Sequence, residues 1–278
     1  MLRFRDYVKG TTKPILIPVA PIHGSHAKKP GNDNSVLIPT DPVHGSHSKP
    51  PVSEEHDDTG HTDFSKFINH NPNSHLGNEI GDVHNSLDKD RDDFIHSHNN
   101  LSAVHEYTSG SYAMNRHLLA KAKGHKGLLD STDSEWDHEK NKEKLGHIKS
   151  LDQSLAHPNA RLKHDVTVFH GASFNPDELA SQHPQRHIHS SAFLSTSINP
   201  STAQSFGGRH ILRIHLRKNK DHALYLGSNS VLPHEQEMII PRDTTLHIHH
   251  TPEHISSGDK VWDAHVVHQD HEHKGYNP

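Results

Sequence analysis

Two carboxylates and a run of hydroxyls are the groups in this 278-residue chain best suited to chemistry. Glu235 and Glu237 stand two residues apart in "LPHEQEMIIPR". On an extended chain that spacing points both side chains the same way. Like charges so close are costly unless a cation or a proton relieves them. The apolar "MII" behind them anchors the pair at a strand start. Such a pair suits a reaction in which positive charge develops on a sugar and a cationic acceptor attacks. Taken alone, a solvated strand edge with two glutamates is the simpler account.

The second group is the hydroxyl triplet of "FLSTSINPSTAQSF", Ser195, Thr196 and Ser197. On a strand Phe193, Ser195 and Ser197 share one face, and Leu194 and Thr196 share the other. Asn199 can cap a short helix with Pro200 in its first turn, ended by Gly207-Gly208. That helix is expected to rest on the strand through Ala203 and Phe206. The triplet therefore sits where a strand enters a helix, a place that presents hydroxyls to a ligand. By itself, cross-strand Ser/Thr pairing is the simpler account. A third stretch, "VTVFHGAS", delivers His170 and Gly171 to a turn. Glycine lets a ligand approach the backbone closely, and a neutral histidine both donates and accepts.

The elements that must position these groups change character along the chain. Apolar residues recur at helix-like intervals from Glu79, through Ile80, Val83, Leu87, Phe94, Leu101 and Val104. "SGSYAMNRHLL" predicts a second short helix. A third opens at "STDSEW", capped by Ser131 or Asp133, and stops before "HPNA". After Asp165 the period becomes 2: "VTVFHG", "AFLSTS", "RHILRIHLR", "ALYL", "MIIP", "TTLHIHH" and "KVWDAHVV" read as strands. Helices followed by many short strands predict an α+β domain. No GxGxxG or Walker A sequence is present.

Residues 1–78 read as a disordered proline- and histidine-rich arm, residues 79–270 as the folded domain and 271–278 as a flexible tail. Within the arm "PILIPVAPIHGSHAKKP" recurs as "SVLIPTDPVHGSHSKP" after 21 residues. Proline favours extended structure there, and two copies suit either a doubled docking motif or a neutral duplication.

Composition narrows the function class. Hydrophobic residues make up 30% of the chain, with mean hydropathy −0.86, which matches one folded domain plus disorder. The net charge of −5 argues against a nucleic-acid binder at neutral pH. Full protonation of the 34 histidines would turn it into +29. With no cysteine, disulfide and thiolate chemistry are excluded. No apolar stretch has the length of a signal-peptide core or a membrane span.

In this order, the quoted stretches resemble the ADP-ribosyltransferase exoenzyme family, specifically its arginine-modifying branch, over roughly residues 79 to 268. "AVHEYTSGSYAMNRHL" is similar to the family's helical tyrosine-threonine stretch, "DVTVFHGAS" to its first core strand and "FLSTS" to its serine-threonine-serine strand. "LPHEQEMIIPRDTTLHI" looks like its Glu-x-Glu loop and the strand after it. The resemblance implies a twisted β-sandwich with a cleft and an N-terminal helical lobe. It implies an NAD-dependent mono-ADP-ribosyltransferase that modifies arginine on a host protein and releases nicotinamide. Glu237 would bond the nicotinamide ribose and stabilise an oxocarbenium-like transition state. Glu235 would orient or deprotonate the guanidinium. Ser195 would hold NAD and Glu237, with Thr196 and Ser197 supporting its strand. The Gly171 backbone would pair with the nicotinamide amide, and Phe206 would line the pocket.

The chain departs from that pattern in two places. The family's first strand carries a phosphate-contacting arginine where this chain has His170. Histidine before glycine resembles instead the diphtheria-toxin and poly-ADP-ribose-polymerase branch, where it bonds a ribose. Either His170 substitutes, or Arg209 or Arg186 supplies the charge, or NAD binding is weakened. Leu232 stands where the acceptor loop often has an aromatic residue, which leaves the target protein open. The family setting implies a monomer working in a host-cell cytoplasm after injection, packaging in a virion, or a non-classical secretion route. The rival readings are a binding protein on a decayed transferase fold and a histidine-rich metal binder. "HSH", "HIH" and "HEH" offer clustered imidazoles, but no matched zinc set appears. "DKDRDD" has Asp93 where a calcium loop needs glycine.

Overall fold

A computed structural model describes residues 2–3, 84–89, 91, 101–130, 135–207, 209–254 and 258–269. The repeat, the tail, the caps expected at Ser131 or Asp133, and the helical positions Ile80, Val83 and Phe94 lie outside them. The strands are β1 (Leu2–Arg3), β2 (Val166–Ala172), β3 (His187–Ser190), β4 (Leu194–Ser197), β5 (His210–Leu216), β6 (Leu224–Tyr225), β7 (Glu237–Ile240), β8 (Thr244–Ile248), β9 (Glu253–His254) and β10 (Lys260–Gln269). They form one hydrogen-bonded sheet in the order β1-β3-β8-β10-β5-β2-β4-β7-β6, with β9 on β10. Among the described strands, the sole parallel pair is β10 with β5.

Alternation accounts for most of this sheet. In β5, Leu212, Ile214 and Leu216 enter the main core while Arg213 and His215 take the other face. The core draws Ile188, Leu246 and Ile248 from one end of the strand order and Leu194, Met238 and Ile240 from the other. The sheet therefore wraps around a common core, as a sandwich does. Strand β3 was not among the strands expected from the sequence. Its "HIHS" is polar, yet Ile188 is fully buried in the core.

The helical elements are α1 (Leu101–Ala122), α2 (Glu135–Ala156), α3 (Pro176–Ala180) and α4 (Pro200–Gly207). The sequence suggested two helices across residues 101–119; the structure joins them into α1, broken at Gly110 (φ −176°, ψ 65°). Its inner face carries Val104, Tyr107, Met114 and Leu118 into a second core with Leu151 and Leu155 of α2. Phe193, Leu224 and Ile239 complete that core from the sheet, so α1 and α2 cover β4, β7 and β6. Tyr107 meets Phe193 edge to face at 5.8 Å. As expected, the Asn199 side chain caps α4 by accepting from the Ser201 N–H at 3.0 Å. Helix α4 packs through Ala203 against Phe169, Ile211 and Val261.

Histidines concentrate on the sheet face opposite the main core. Cross-strand partners His187, His247, His265 and His215 make a row over β3, β8, β10 and β5. Adjacent rings in the first two pairs lie 5.7 and 5.1 Å apart. Among the described residues no group of three or more His, Cys, Asp or Glu is arranged to hold a metal ion. No helix among them is long and apolar enough to cross a membrane.

Candidate active site

The sheet is weakest between β2 and β4. Their ladder is a single pair, Phe169 with Ser197, whereas β2 and β5 pair over seven residues. Strands that part this early open a gap between them. His170 closes the back of the gap: its Nδ1 lies 2.8 Å from the Ser195 carbonyl oxygen. A carbonyl only accepts, so Nδ1 carries the proton. Burial lowers the His170 pKa to about 4, and the bond to Ser195 only partly opposes this, so the ring is neutral. Its Nε2 is buried with no hydrogen-bond partner.

On the other side of β2 the gap opens as a crevice. Its walls are Phe169 and Gly171 of β2, the triplet Ser195, Thr196 and Ser197, Ala203 and Phe206 of α4, and Glu235 and Glu237. Every residue singled out from the sequence as catalytic is on this wall, and so are all the binding candidates except His170. His170 sits behind the wall and holds β4 to β2. Arg186 is engaged elsewhere, donating to Asp177 at 2.7 Å and to the Ile248 carbonyl at 2.9 Å. Arg209 is exposed at the start of β5.

The hydroxyl triplet divides its work. Thr196 Oγ1 donates to the Met238 carbonyl at 2.7 Å and ties β4 to β7. Ser197 Oγ donates to the Glu235 carbonyl at 2.6 Å and accepts from the Asn199 N–H at 2.9 Å. One hydroxyl thus fixes both the glutamate loop and the start of α4. Ser195 Oγ lies 2.8 Å from the Tyr107 hydroxyl.

The two glutamates share the crevice for a different reason from the one their spacing suggested. Glu235 is not on an extended chain. It ends a 3₁₀ turn, Pro233–Glu235, that Pro233 favours and that Gln236 closes in the left-handed region (φ 48°, ψ 47°). Strand β7 begins only at Glu237, opposite Ser197. The turn reverses the chain and brings Glu235 back to the same wall. Both side chains are buried, at 5% and 1% exposure.

Burial governs their protonation. It pushes the Glu235 carboxyl up to about 7. Glu237 rises to about 8, chiefly by burial; the neighbouring Ser195 hydroxyl opposes the shift and Glu235 adds to it. Neither oxygen of Glu237 meets hydrogen-bond geometry with any group. A buried carboxyl with no partner, facing a crevice, is costly unless a ligand completes it. The crevice thus fits a substrate that brings hydroxyls or positive charge to that point, as NAD does.

Two positioning residues were not singled out individually in the sequence. Tyr107 is fully buried and reaches Ser195. Thr108, next to it on α1, accepts from the Val231 N–H at 3.2 Å and holds the loop before Glu235. The one signal was their place in the tyrosine-threonine stretch, since a buried tyrosine in an amphipathic helix otherwise reads as core.

With this geometry established, comparison with known proteins is informative. No curated protein matches the chain. Solved structures do: an ADP-ribosyltransferase from Clostridium botulinum (15% identity, TM-score 0.51) is matched over 67% of this chain and 94% of that one. An ADP-ribosyltransferase toxin from Paenibacillus larvae gives 18% identity and TM-score 0.51 over 67% and 95%. The C3 exoenzyme of Clostridium limosum gives 15% and 0.51 over 67% and 94%. At such identities these likenesses speak for the fold. A sequence profile described as ADP-ribosyltransferase exoenzyme matches residues 73–266, well over half of the chain. The chain therefore belongs to the ADP-ribosyltransferase exoenzyme family.

Proposed function

We propose that this protein transfers a single ADP-ribose from NAD to arginine on a host protein, with Glu237, Glu235 and Ser195 as its catalytic groups. The observation that carries the reading is the Glu237 carboxyl, 1% exposed, with both oxygens unpartnered beside the serine-threonine-serine strand. The reaction breaks the bond between nicotinamide and ribose and joins that ribose carbon to a guanidinium nitrogen, which loses a proton. In the free crevice Glu237 holds a proton below about pH 8. Positive charge brought beside it favours the carboxylate, which then stabilises a cation developing on the sugar. Glu235, with its carboxyl near 7, is poised at neutral pH to orient the guanidinium and accept its proton. Gly171 offers backbone groups to the nicotinamide amide, and Phe206 flanks them. Val231 is 45% exposed and Pro233 and His234 are also exposed, so the Glu235 turn presents a surface to a macromolecular acceptor.

His170 in place of the family arginine bears on the rival reading of a decayed binding protein. Its bond to the Ser195 carbonyl gives it a supporting task, so its presence is no sign of decay. Glu237→Gln is expected to remove nicotinamide release and transfer together, by about 100-fold or more. Glu235→Gln is expected to lose transfer to arginine while residual NAD hydrolysis persists. Mass spectrometry of the labelled acceptor should locate ADP-ribose on arginine; label on another residue type would overturn the acceptor assignment. A wild-type chain that releases no nicotinamide would return the reading to a binding protein.

A further inference from the structure

We infer that the histidines of the β3–β8–β10 wing form an acid-sensitive latch: a triangle of His247, His249 and His265 that takes one proton and loosens the wing on taking more. The geometry is that of three imidazoles in contact. Ring centroids of His247 and His249, of His247 and His265, and of His249 and His265 lie 5.1, 5.1 and 5.2 Å apart. His249 Nε2 lies 3.1 Å from His265 Nδ1. A bond between imidazoles needs an N–H on one ring and a bare nitrogen on the other. It therefore holds with both rings neutral or with one charged, and it breaks when both are charged. His247 Nδ1 lies 2.9 Å from the Gln185 carbonyl oxygen. A carbonyl only accepts, so the His247 N–H is fixed there and Nε2 is the atom that takes a further proton. His187, the cross-strand neighbour of His247, adds a fourth ring at 5.7 Å.

The charged groups around the triangle are matched to one another. Asp263 of β10 joins Arg213 and His215 of β5, and Glu253 of β9 takes another side of Arg213. Arg217, just past β5, pairs with Asp221. Arg186, before β3, pairs with Asp177 of α3 and donates to the His249 carbonyl. His189 of β3 lies 3.4 Å from Asp243, which also faces Arg242. Each of these carboxylates already faces an arginine. A second and a third proton on the triangle therefore set like charges side by side, and the repulsion falls on β8 and β10. A histidine that resists its proton on folding contributes stability above about pH 6.5 and loses it as pH falls. The crevice wall responds in the opposite sense, because burial raises Glu235 and Glu237 and acid leaves them neutral. Acid thus loads one half of the sheet and spares the other.

The test uses the full chain and two measurements. Nitrogen–proton NMR of the imidazoles should show the triangle titrating in separate steps, one proton entering near or above about pH 6.5 and the others below about pH 6. Hydrogen exchange, corrected for its intrinsic pH dependence, should show β3 and β8 amides losing protection by about 10-fold or more from about pH 7 to about pH 5, while β2, β4 and β7 change little. His265→Gln removes one proton site and should cut that loss several-fold. His249→Asn, at a half-buried position just beyond β8, should do the same. His268→Gln, at an exposed position on β10, should alter neither reading. Three rings titrating together, protection lost evenly over the sheet, or a loss unchanged in both triangle variants would overturn the latch. Neither measurement depends on NAD cleavage, so the latch and the proposed function stand or fall separately.

Discussion

One row across the sheet runs through directly paired residues: Glu237 on β7, Ser197 on β4, Phe169 on β2, Arg213 on β5 and Asp263 on β10. It has a carboxylate at each end, and the sheet treats the two in opposite ways. Asp263 accepts from Arg213 Nε and Nη2 at 2.6 and 2.8 Å and lies 2.7 Å from His215 Nε2. Burial opposes its charge, but the bonds from Arg213 and His215 outweigh that and hold its carboxyl well below the usual range. Glu237 has no such partner and moves the other way. Phe169, fully buried between them, keeps the cation of one end from reaching the other. The contrast separates a carboxylate used to hold strands together from one left incomplete for a substrate. An unsatisfied buried acid is retained at a cost in stability, as functional sites commonly are.

The largest expected break in that contrast is Glu237→Gln. Beyond the loss of nicotinamide release, stability above pH 8 should rise by on the order of 3 kcal/mol, since the buried charge is gone. Urea denaturation at pH 9 checks this; a loss of stability would mean Glu237 has a partner that the crevice geometry does not reveal. Next is Asp263→Asn, which leaves Arg213 with Glu253 alone, at 2.8 Å. It should cost about 3 kcal/mol by denaturant titration. Nicotinamide release per folded molecule should be largely retained, because Asp263 lies outside the crevice.

The pH dependence of stability sharpens the same comparison. A carboxyl raised from its ordinary 4.5 to about 8 binds more protons folded than unfolded between those values. Its contribution is full below pH 4.5 and is lost as pH rises through 8. Asp263 is lowered on folding, so its contribution is full above its ordinary value of 3.8 and is lost as pH falls below that. His170, lowered by burial, adds to the acid loss between its ordinary 6.5 and about 4. Thermal melting against pH should therefore fall at both ends, the alkaline fall shrinking in E237Q to the part that Glu235, raised to about 7, still contributes, and the acid fall shrinking in D263N. The smallest effect is Ser197→Ala, expected to cost about 1 kcal/mol and to loosen the Glu235 turn. Transfer to arginine should suffer more than NAD hydrolysis, and equal losses would show that Ser197 does not act through Glu235.

Alternation and punctuation in the sequence already carried most of the strands: the leucines and isoleucines of β5 and the Asn199-Pro200 start of α4 could hardly fold otherwise. The identities of the crevice residues were legible only through the order of several short stretches and the family resemblance it carries, since the stretches holding Ser195, Glu235 and Glu237 each read alone as ordinary sheet pairing or a solvated edge. Strand β3 was hidden because its polar histidines lie on a face whose burial depends on neighbouring strands. The placing of Glu235 was misjudged because a left-handed residue at Gln236 gives no period to read. Tyr107 and Thr108 needed the packing of α1 on β4, a contact between positions 88 residues apart for the Tyr107–Ser195 pair.

The sequence by itself therefore determined which groups were available and which strands would carry them, because side-chain period and turn chemistry are local. Only the tertiary structure decided how those groups are charged. Protonation depends on water exclusion and on partners from distant strands, and neither is encoded near the residue that feels it.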